Sequence, residues 1–387
     1  MRLMTKTKKF IRFVSLWLGA AVLTGGSAAL GAEPMVFESS AGPLKAEIVA
    51  TGLEFPWAVG FLPDGRLLVT ERPGRLRVIG ADGQPGAPVS GVPEVWAEGQ
   101  GGLLDVALAP DFETSGRLYL SYAQPGLGGA GTAVMAASLR LSGDSGALED
   151  QQVIFRMNRF TGRGQHFGSR IVIAPDGNLF VTLGERGEMD RAQDPADLAG
   201  AVVRIGPDGS IPADNPFADG GAGNAALWSL GHRNPQGATL GPDGALWTVE
   251  HGAKGGDEIN KPLAGLNYGW PVITYGEDYN GSKIGTGTEK PGYEQPVYYW
   301  DPSIAPSGMD FYDGALFPAW QGDLLVGSLK FQLLSHLKME GEQVVDEERL
   351  FEGAFGRIRD VRTGPDGAIY LATDESAGRI IRIVPDK

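Results

Sequence analysis

Short apolar runs, each preceded by a Pro-Asp-Gly-type turn, recur along the chain. The clearest copies are Leu62–Thr70, Ala174–Thr182, Gly241–Val249 and Gly364–Ala372. Proline presets φ for such a turn, glycine takes the positive φ, and the β-branched and aromatic residues that follow favour strands. Convincing helical periodicity is scarce, and Asp194–Ala201 is at most a short helix. The pattern therefore predicts an all-β protein.

The repeat can be counted six times when two degenerate copies are included. Its aspartates stand at positions 64, 111, 176, 243, 313 and 366, so neighbouring copies are 47 to 70 residues apart. A four-stranded propeller blade takes about 40–50 residues, so each interval accommodates one blade and its loops. We therefore predict a six-bladed β-propeller with four-stranded antiparallel blades, whose radial closure protects the strand edges. The runs Lys45–Thr51 and Arg379–Val384 are expected to share one blade and close the ring.

Composition and charge exclude several classes of function. The 387 residues include no cysteine, so disulfides and thiolate chemistry are excluded. The formal net charge is −14, and residues 1–32 contribute five basic side chains and no acid, which leaves −19 for residues 33–387. A body this acidic repels phosphate backbones and anionic membrane surfaces, so we expect no nucleic-acid partner.

The N-terminus has the pattern of an export signal. A basic start, Met1–Arg12, leads into the apolar run Phe13–Leu23, and small residues follow, with cleavage expected after Ala29 or Ala32. The alternative is a permanent anchor, but the run is short for a span of about 20 residues. We therefore expect a cleaved signal peptide in residues 1–32 and one propeller domain in residues 33–387. That domain is expected to be periplasmic or secreted, with no membrane span.

Chemistry is sought in the long loops between the repeats, because loops on a rigid scaffold usually carry it. His166 precedes a predicted strand, where it could act as a general base or make a structural hydrogen bond. The loop Gly231–Gly237 gathers donors that suit a planar anionic ligand, or it is a solvated turn. The segment His251–Asn260 combines carboxylates with a glycine-rich backbone, as a calcium site does, or it is an ordinary acidic loop.

Two arginines form a further candidate site. Arg357 and Arg359 alternate along a predicted strand and so share one face. Such pairs bind carboxylates in bidentate fashion, either those of a ligand or those of the protein itself. Lys330 follows another predicted strand and could serve the same anion. The run Gly126–Gly131 fits G-x-G-x-x-G, but it lacks the helix and the βαβ context of a dinucleotide site.

Together these residues resemble one family, the soluble, exported aldose or glucose dehydrogenases that use pyrroloquinoline quinone (PQQ). The resemblance extends from about Glu54 to the C-terminus, and the order of its motifs makes it specific. The motifs are Gly99–Leu104, His166 with Gly168–Arg170, Gly231–Gly237, Asp257–Asn260, Leu266–Pro271, Pro302–Ser307, Ser328–Lys330 and Arg357–Asp360. The family is a six-bladed propeller, which agrees with the repeat count.

The resemblance implies a dehydrogenase that oxidises the anomeric carbon of an aldose to a lactone by hydride transfer to PQQ. It implies that His166 takes the proton from the anomeric hydroxyl, while Ca²⁺ polarises the quinone. The residues implied to bind PQQ are Gln100, Arg233, Asn234, Ser303, Lys330, Arg357 and Arg359. Those implied to bind calcium are Gly252 and Ala253, through backbone carbonyls beside the quinone, and Glu258, Tyr268 and Asp278 at a second, structural ion.

Two other functions are kept as alternatives. A calcium-dependent propeller lactonase or other hydrolase would also use loop carboxylates, but it would not need the cations Lys330, Arg357 and Arg359. A non-catalytic propeller that binds a glycan or a protein would explain the fold and the export, but not His166. The sequence does not identify the preferred sugar, the external electron acceptor, or whether the protein is a monomer or a homodimer.

Overall fold

The computed structural model describes residues 35–386, and this part of the chain is almost entirely β-structure. The predicted signal peptide lies outside the described residues. The first two strands are β1 (Met35–Phe37) and β2 (Leu44–Leu53). Within residues 35–386, no helix is long and apolar enough to cross a membrane.

Five antiparallel sheets then follow in chain order, each built from consecutive strands. The first contains β3 (Pro56–Phe61), β4 (Leu67–Glu71) and β5 (Arg75–Ile79), and the second contains β6 (Leu103–Leu108), β7 (Arg117–Gly126), β8 (Gly129–Ser142) and β9 (Ser145–Arg156). The third contains β10 (Ile171–Ile173), β11 (Leu179–Leu183), β12 (Ala201–Ile205) and β13 (Leu227–Leu230), and the fourth contains β14 (Pro235–Leu240), β15 (Leu246–Glu250), β16 (Asp257–Asn260) and β17 (Tyr298–Trp300). The fifth contains β18 (Pro306–Phe311), β19 (Leu324–Ser328), β20 (Leu334–Glu340) and β21 (Gln343–Leu350).

The sixth sheet closes the ring with strands from both ends of the described chain. It contains β22 (Ile358–Thr363), β23 (Ile369–Thr373) and β24 (Gly378–Pro385), in the order β1-β2-β24-β23-β22. Strand β2 is antiparallel to β24, with Ala46 opposite Ile383. This confirms the predicted shared blade and gives that blade five strands.

The first strands of the sheets pack side by side around the axis in the order β3, β6, β10, β14, β18 and β22, and β22 returns to β3. The structure is therefore the predicted six-bladed propeller. Four blades have four strands, whereas the first has three. The segment after β5 covers the edge of that blade through bonds from Gly86 N–H to the Val78 carbonyl and from Val89 N–H to the Leu76 carbonyl, each 2.9 Å.

The predicted turns connect the first and second strands of their blades. In the first, Gly65 has φ +85° and its N–H donates to the Leu62 carbonyl at 2.9 Å. The segment Asp194–Ala201, considered as a short helix, instead forms turns that lead into β12, after the 3₁₀ turn Met189–Gln193. The glycine motif Gly126–Gly131 lies in the β7–β8 hairpin, which excludes a dinucleotide loop there.

A buried ionic network fills the space where the inner strands meet. The Arg170 guanidinium lies between Asp105 and Asp360, at 3.3 and 2.9 Å from their carboxylates, and all three side chains are about 1% exposed or less. The same guanidinium lies 4.2 Å from the ring of Trp57. Because Trp57 also lines a polar cleft, this network supports one wall of that cleft.

Candidate functional site

A polar cleft of about 210 Å³ lies beside the buried ionic network of Asp105, Arg170 and Asp360. Its walls come from the first strands of several blades and from the loops that flank them. The lining residues are Trp57, Arg72, Gly99, Gln100, Gln236, His251, Ala305, Leu329, Arg357, Arg359 and Asp374. Three arginines, two glutamines and one carboxylate make the cleft cationic and rich in hydrogen-bond donors.

His166 lies next to this cleft, in the loop between β9 and β10. Its Nδ1 is 2.7 Å from Glu185 Oε2, and its side chain is 12% exposed. Burial lowers the pKa of His166; the bond to Glu185 opposes this effect, and the charge of Arg233 adds to it. With Nδ1–H donating to the carboxylate, Nε2 keeps its lone pair, so a neutral base is oriented by an acid.

Gln100, which lines the cleft, is bonded to the loop that carries His166. Its side-chain Oε1 accepts the His166 N–H at 2.7 Å, and its own N–H donates to the Gly164 carbonyl at 2.7 Å. His166 has φ +56°, an uncommon conformation for a residue with a Cβ. The bond that its N–H donates to Gln100 Oε1 is one of those that hold it.

Arg233 and Asn234 immediately precede β14 and are buried. Asn234 Oδ1 accepts bonds from Gly168 N–H and Gln236 Nε2, both at 3.2 Å. Asn234 Nδ2 and Arg233 Nε are buried without a hydrogen-bond partner in the described part of the chain. Buried donors are almost always paired, so these two are candidates to bind a ligand.

Arg357 and Arg359 lie together, as predicted, and a protein carboxylate joins them. Asp374 Oδ2 accepts from Arg357 Nη2 at 3.0 Å and from Arg359 Nη2 at 2.8 Å. Arg359 Nη1 also donates to Gln236 Oε1 at 2.9 Å. Burial raises the pKa of Asp374, but the charges and bonds of Arg359 and Arg357 outweigh it and lower that pKa to about 2.

Lys330 and Ser303, like Arg233 and Asn234, are predicted cofactor residues that do not line the cleft. Lys330 is exposed beyond the end of β19, with its Nζ 5.1 Å from the centre of the Phe331 ring. Ser303 is buried, and its hydroxyl donates to Asp257 Oδ1 at 2.9 Å. In this structure Ser303 therefore binds the start of β16, and Lys330 is close to the cleft only through its neighbour Leu329.

A second, smaller cavity lies behind the first and shares His251 with it. It is lined by Arg233, Glu250, His251, Gly252, Gly256, Glu258, Tyr268, Trp270, Ile273 and Thr274. Burial, and then the charge of Glu250, raises the pKa of Glu258 to about 8. The predicted calcium residues Gly252, Glu258 and Tyr268 are thus brought together, and Ala253 is buried beside them.

Tyr268 and Asp278 differ in how they relate to this cavity. The Tyr268 hydroxyl donates to the Lys261 carbonyl at 2.5 Å and accepts from Leu263 N–H at 3.0 Å, so it is already satisfied. Asp278 is absent from the cavity lining and sits in a tight turn, where its N–H donates to the Ser282 carbonyl at 2.9 Å. Asp278 is therefore not among the residues that line the cavity with Glu258.

Glu185, Asp374 and His251 are among the residues of the site that were not selected from the sequence. Glu185 and Asp374 each follow the second strand of a blade, opposite the segment that precedes its first strand. Both could have been found from the sequence by pairing the residues of the two hairpin strands outward from the Pro-Asp-Gly turn. Burial lowers the pKa of His251 to about 3, and its Nε2 is 2.6 Å from the Pro306 carbonyl, so its ring is neutral.

A hydrolase-like triad also occurs, but it has no access to a substrate. Ser229 Oγ is 2.9 Å from His232 Nε2, and His232 Nδ1 is 2.8 Å from Glu250 Oε1. Ser229 and His232 are 0% exposed and Glu250 is 3% exposed. Glu250 also accepts Arg233 N–H at 2.6 Å, so the triad supports the loop Gly231–Gly237.

Comparisons with known proteins agree on one family. A family model described as glucose/sorbosone dehydrogenase matches residues 53–382. The aldose sugar dehydrogenase YliI of Escherichia coli (strain K12) is 47% identical over 347 residues, which are 88% of this chain and 93% of the relative.

Solved structures show the same similarity. The apo-form of the soluble aldose sugar dehydrogenase of E. coli is 46% identical and has a TM-score of 0.85, covering 89% of this chain and 100% of that one. The PQQ-bound form of the aldose sugar dehydrogenase of Streptomyces coelicolor is 28% identical and has a TM-score of 0.72, covering 88% of this chain and 98% of that one.

Proposed function

This chain belongs to the glucose/sorbosone dehydrogenase family and is a sugar dehydrogenase of the PQQ type, and from that premise we propose a specific reaction. It oxidises the anomeric C–OH group of an aldose to a lactone, and the electrons pass through PQQ to an external acceptor. The observation that carries the proposal is a histidine oriented by a carboxylate, next to a cleft rich in arginine and amide donors.

The donor set of the cleft suits PQQ, a planar tricarboxylate quinone. Arg359 and Arg357 are cations that line it, and carboxylates are bound most strongly by charge-assisted, bidentate bonds. Both guanidinium groups already bind Asp374, so a PQQ carboxylate would share or replace that contact. The unpaired buried donors Asn234 Nδ2 and Arg233 Nε offer further hydrogen bonds. Gln100 would add an amide, and Lys330 would reach the cofactor only by moving its flexible side chain inward from the surface.

When bound, PQQ would supply the two-electron quinone that accepts hydride from the sugar, with Ca²⁺ beside it as a Lewis acid. The chain's own part is to hold the sugar hydroxyl at His166. Nε2 accepts the hydroxyl proton, and the charge that forms on the ring is balanced by Glu185 at 2.7 Å from Nδ1. General-base catalysis of this kind contributes about 10²–10⁴-fold.

The second cavity suits a calcium ion. A carboxyl with a pKa of about 8 is protonated at neutral pH, and a divalent cation would replace that proton at Glu258. At Gly252 an added Cβ would lie 2.1 and 2.3 Å from the carbonyl oxygens of Gly255 and Gly256, so several backbone oxygens converge there. Oxygen ligands of this kind are those that Ca²⁺ prefers.

Export is part of the proposal. The basic and apolar start of the chain supports a cleaved signal over residues 1–32, followed by one propeller domain that works outside the cytoplasm. Edman sequencing of the mature protein purified from the cell envelope would test the cleavage site. A mature chain that begins at Met1 would contradict this part of the proposal.

The reaction is tested by reconstitution. The metal-free protein is incubated with PQQ and Ca²⁺, and reduction of a dye is followed with a panel of aldoses, with lactone formation measured in parallel. We expect dye reduction that needs PQQ, Ca²⁺ and an aldose with a free anomeric hydroxyl. Hydrolysis of lactones without PQQ would instead support the hydrolase alternative, and PQQ-independent glycan binding would support the non-catalytic one.

A further inference from the structure

A buried arginine, Arg186, donates hydrogen bonds to the backbone of the loop that carries His166. Arg186 is 0% exposed, and its Nη2 donates to the carbonyl oxygens of Arg163 at 2.6 Å and Ala130 at 3.5 Å. Its Nη1 donates to the carbonyl oxygen of Gln165. One side chain thus binds the carbonyls of two residues that lie just before His166.

The charge of Arg186 is compensated in an unusual way. Its hydrogen bonds all go to backbone carbonyls, and it takes part in none of the ion pairs formed by residues 35–386. The guanidinium carbon lies 3.3 Å from the centre of the Phe167 ring. A buried charge is costly unless it is paired. This guanidinium forms no direct ion pair among the described residues, so its stability depends on the carbonyls of Arg163 and Gln165 in the loop, on the Ala130 carbonyl of β8 and on the Phe167 ring.

The backbone at this place also needs a restraint. His166 and Arg186 both have positive φ, +56° and +61°, and Arg186 N–H donates to the His166 carbonyl at 3.3 Å. Residues with a Cβ hold such conformations only when their surroundings fix them. A planar fork can bond two carbonyls at once, whereas the ammonium group of lysine is a single point charge on a flexible stem.

We propose that Arg186 is a positioning residue for His166: its guanidinium fixes the carbonyls of the preceding loop and so holds the imidazole in its working orientation. The inference rests on the proposed function only where it concerns turnover. Arg186 touches neither the cleft nor the reacting atoms, and it acts through the loop and through its charge.

The positive charge of Arg186 also lowers the pKa of His166. The charged groups that act on the His166 ring are Glu185, which raises its pKa, and Arg233 and Arg186, which lower it; the neutral ring of His251 is also close. Removal of the positive charge at position 186 favours the imidazolium form. The pKa of His166 then rises, and less of the base is in its neutral form near pH 7.

Two variants separate geometry from charge. Arg186→Met removes both the fork and the charge, whereas Arg186→Lys keeps the charge and loses the fork. Arg204→Met is the matched control, since Arg204 lies in the same blade and 5.3 Å from the Trp228 ring, but pairs with Asp176 and Asp214. Its replacement should alter stability without affecting His166.

The first measurement needs no cofactor. The ring titrations of the four histidines are followed by NMR in the apo-protein, with His166 assigned from the His166→Gln variant. We expect the His166 midpoint to rise in Arg186→Met and to stay near the wild-type value in Arg186→Lys and Arg204→Met. Hydrogen exchange of the His166 amide should be faster in both Arg186 variants. A wild-type midpoint together with wild-type exchange in Arg186→Met would overturn the proposal.

The second measurement uses the PQQ- and Ca²⁺-loaded enzyme. A misplacement of about 1 Å can cost about 10²-fold in rate, so kcat should fall at least about tenfold in both Arg186 variants. Their KM for the sugar and Kd for PQQ should stay within about threefold of wild type, since Arg186 does not line the cleft. An unchanged kcat would also overturn the proposal. If wild type itself oxidises no sugar, the proposed sugar oxidation is refuted, while the NMR result still decides the role of Arg186. If Arg186→Met does not fold, the hydrogen exchange of the His166 amide and the kcat of Arg186→Lys decide instead.

Discussion

Replacement of Asp374 by asparagine tests how the arginine pair is held. The carboxylate is about 10% exposed and lies between two guanidinium groups, with Oδ2 at 3.0 Å from Arg357 Nη2 and 2.8 Å from Arg359 Nη2. Asparagine keeps the shape but removes the negative charge, so the two arginines face each other without a counter-ion. The loss should therefore be electrostatic and should depend on pH.

The size of the loss follows from the pKa. That of Asp374 is lowered from the ordinary 3.8 to about 2, and one pH unit corresponds to about 1.4 kcal/mol. The carboxylate therefore contributes about 2 kcal/mol to the free energy of unfolding. Because the folded pKa is the lower one, this contribution is complete above about pH 4–5 and is lost as the pH falls through about 2.

The assay is urea unfolding of the apo-protein, followed by tryptophan fluorescence at several pH values between 7 and 2.5. At pH 7 we expect Asp374→Asn to be less stable than wild type by about 2 kcal/mol, and the difference to shrink steadily below pH 4. Asp190→Asn, at an exposed position, is the control and should follow wild type throughout. A difference that stays constant down to pH 2.5, or no difference at pH 7, would refute the reasoning.

Three further predictions concern binding and turnover. His166→Gln should bind PQQ nearly as wild type does and lower kcat at least about 10²-fold in steady-state kinetics; near-normal turnover would exclude His166 as the base. Arg359→Ala should weaken PQQ affinity by about ten- to a hundredfold in titrations, with partial recovery in Arg359→Lys, since a charge-assisted bond contributes about 1.5–3 kcal/mol; unaltered affinity would leave the arginine with a structural role. Ca²⁺ should raise the melting temperature of wild type but not of Glu258→Ala, and an equal response in both would mean an ordinary acidic loop. In the same titration, a smaller response of Asp278→Ala than of wild type would show that the turn of Asp278 supplies a ligand.

The fold was predictable because its determinants are local and repeated. Each Pro-Asp-Gly turn fixes a hairpin by itself, and six hairpins at blade-sized intervals leave few arrangements other than a ring. The three-stranded first blade was not predictable, because the segment that covers β5 pairs through only a few bonds, such as that of Gly86, and has no strand-like pattern. In the closing blade, β1 adds a strand of three residues that is too short to stand out.

The site was predictable in part for a similar reason. Motifs of the resemblance identified Gln100 and Arg359, which line the cleft, His166, which lies beside it, and Arg233, which lines the second cavity. They could not show that the Ser303 hydroxyl binds Asp257, because such a bond depends on how the loop before β18 packs on the start of β16. The same limit applies to Lys330, which a motif places at the end of a strand while its side chain stays at the surface.

Glu185 and Asp374, which were not selected from the sequence, occupy a regular position relative to the Pro-Asp-Gly turn. In four blades an acidic residue stands seven to nine positions after the aspartate of the turn: Glu71, Glu185, Glu250 and Asp374. The second strand of a hairpin runs antiparallel to the first, so the residue at its end returns to the segment that precedes the first strand.

In every one of these blades that residue holds the preceding loop. Glu71 accepts the Glu54 N–H at 2.6 Å, Glu185 binds His166 at 2.7 Å, and Glu250 accepts the Arg233 N–H at 2.6 Å. Asp374 binds Arg357 and Arg359. In the proposed function three of these loops carry the chemistry, and each receives a carboxylate from its own hairpin. The carboxylates differ in the group that they contact: a backbone N–H for Glu71 and Glu250, a pair of guanidinium groups for Asp374, and an imidazole for Glu185.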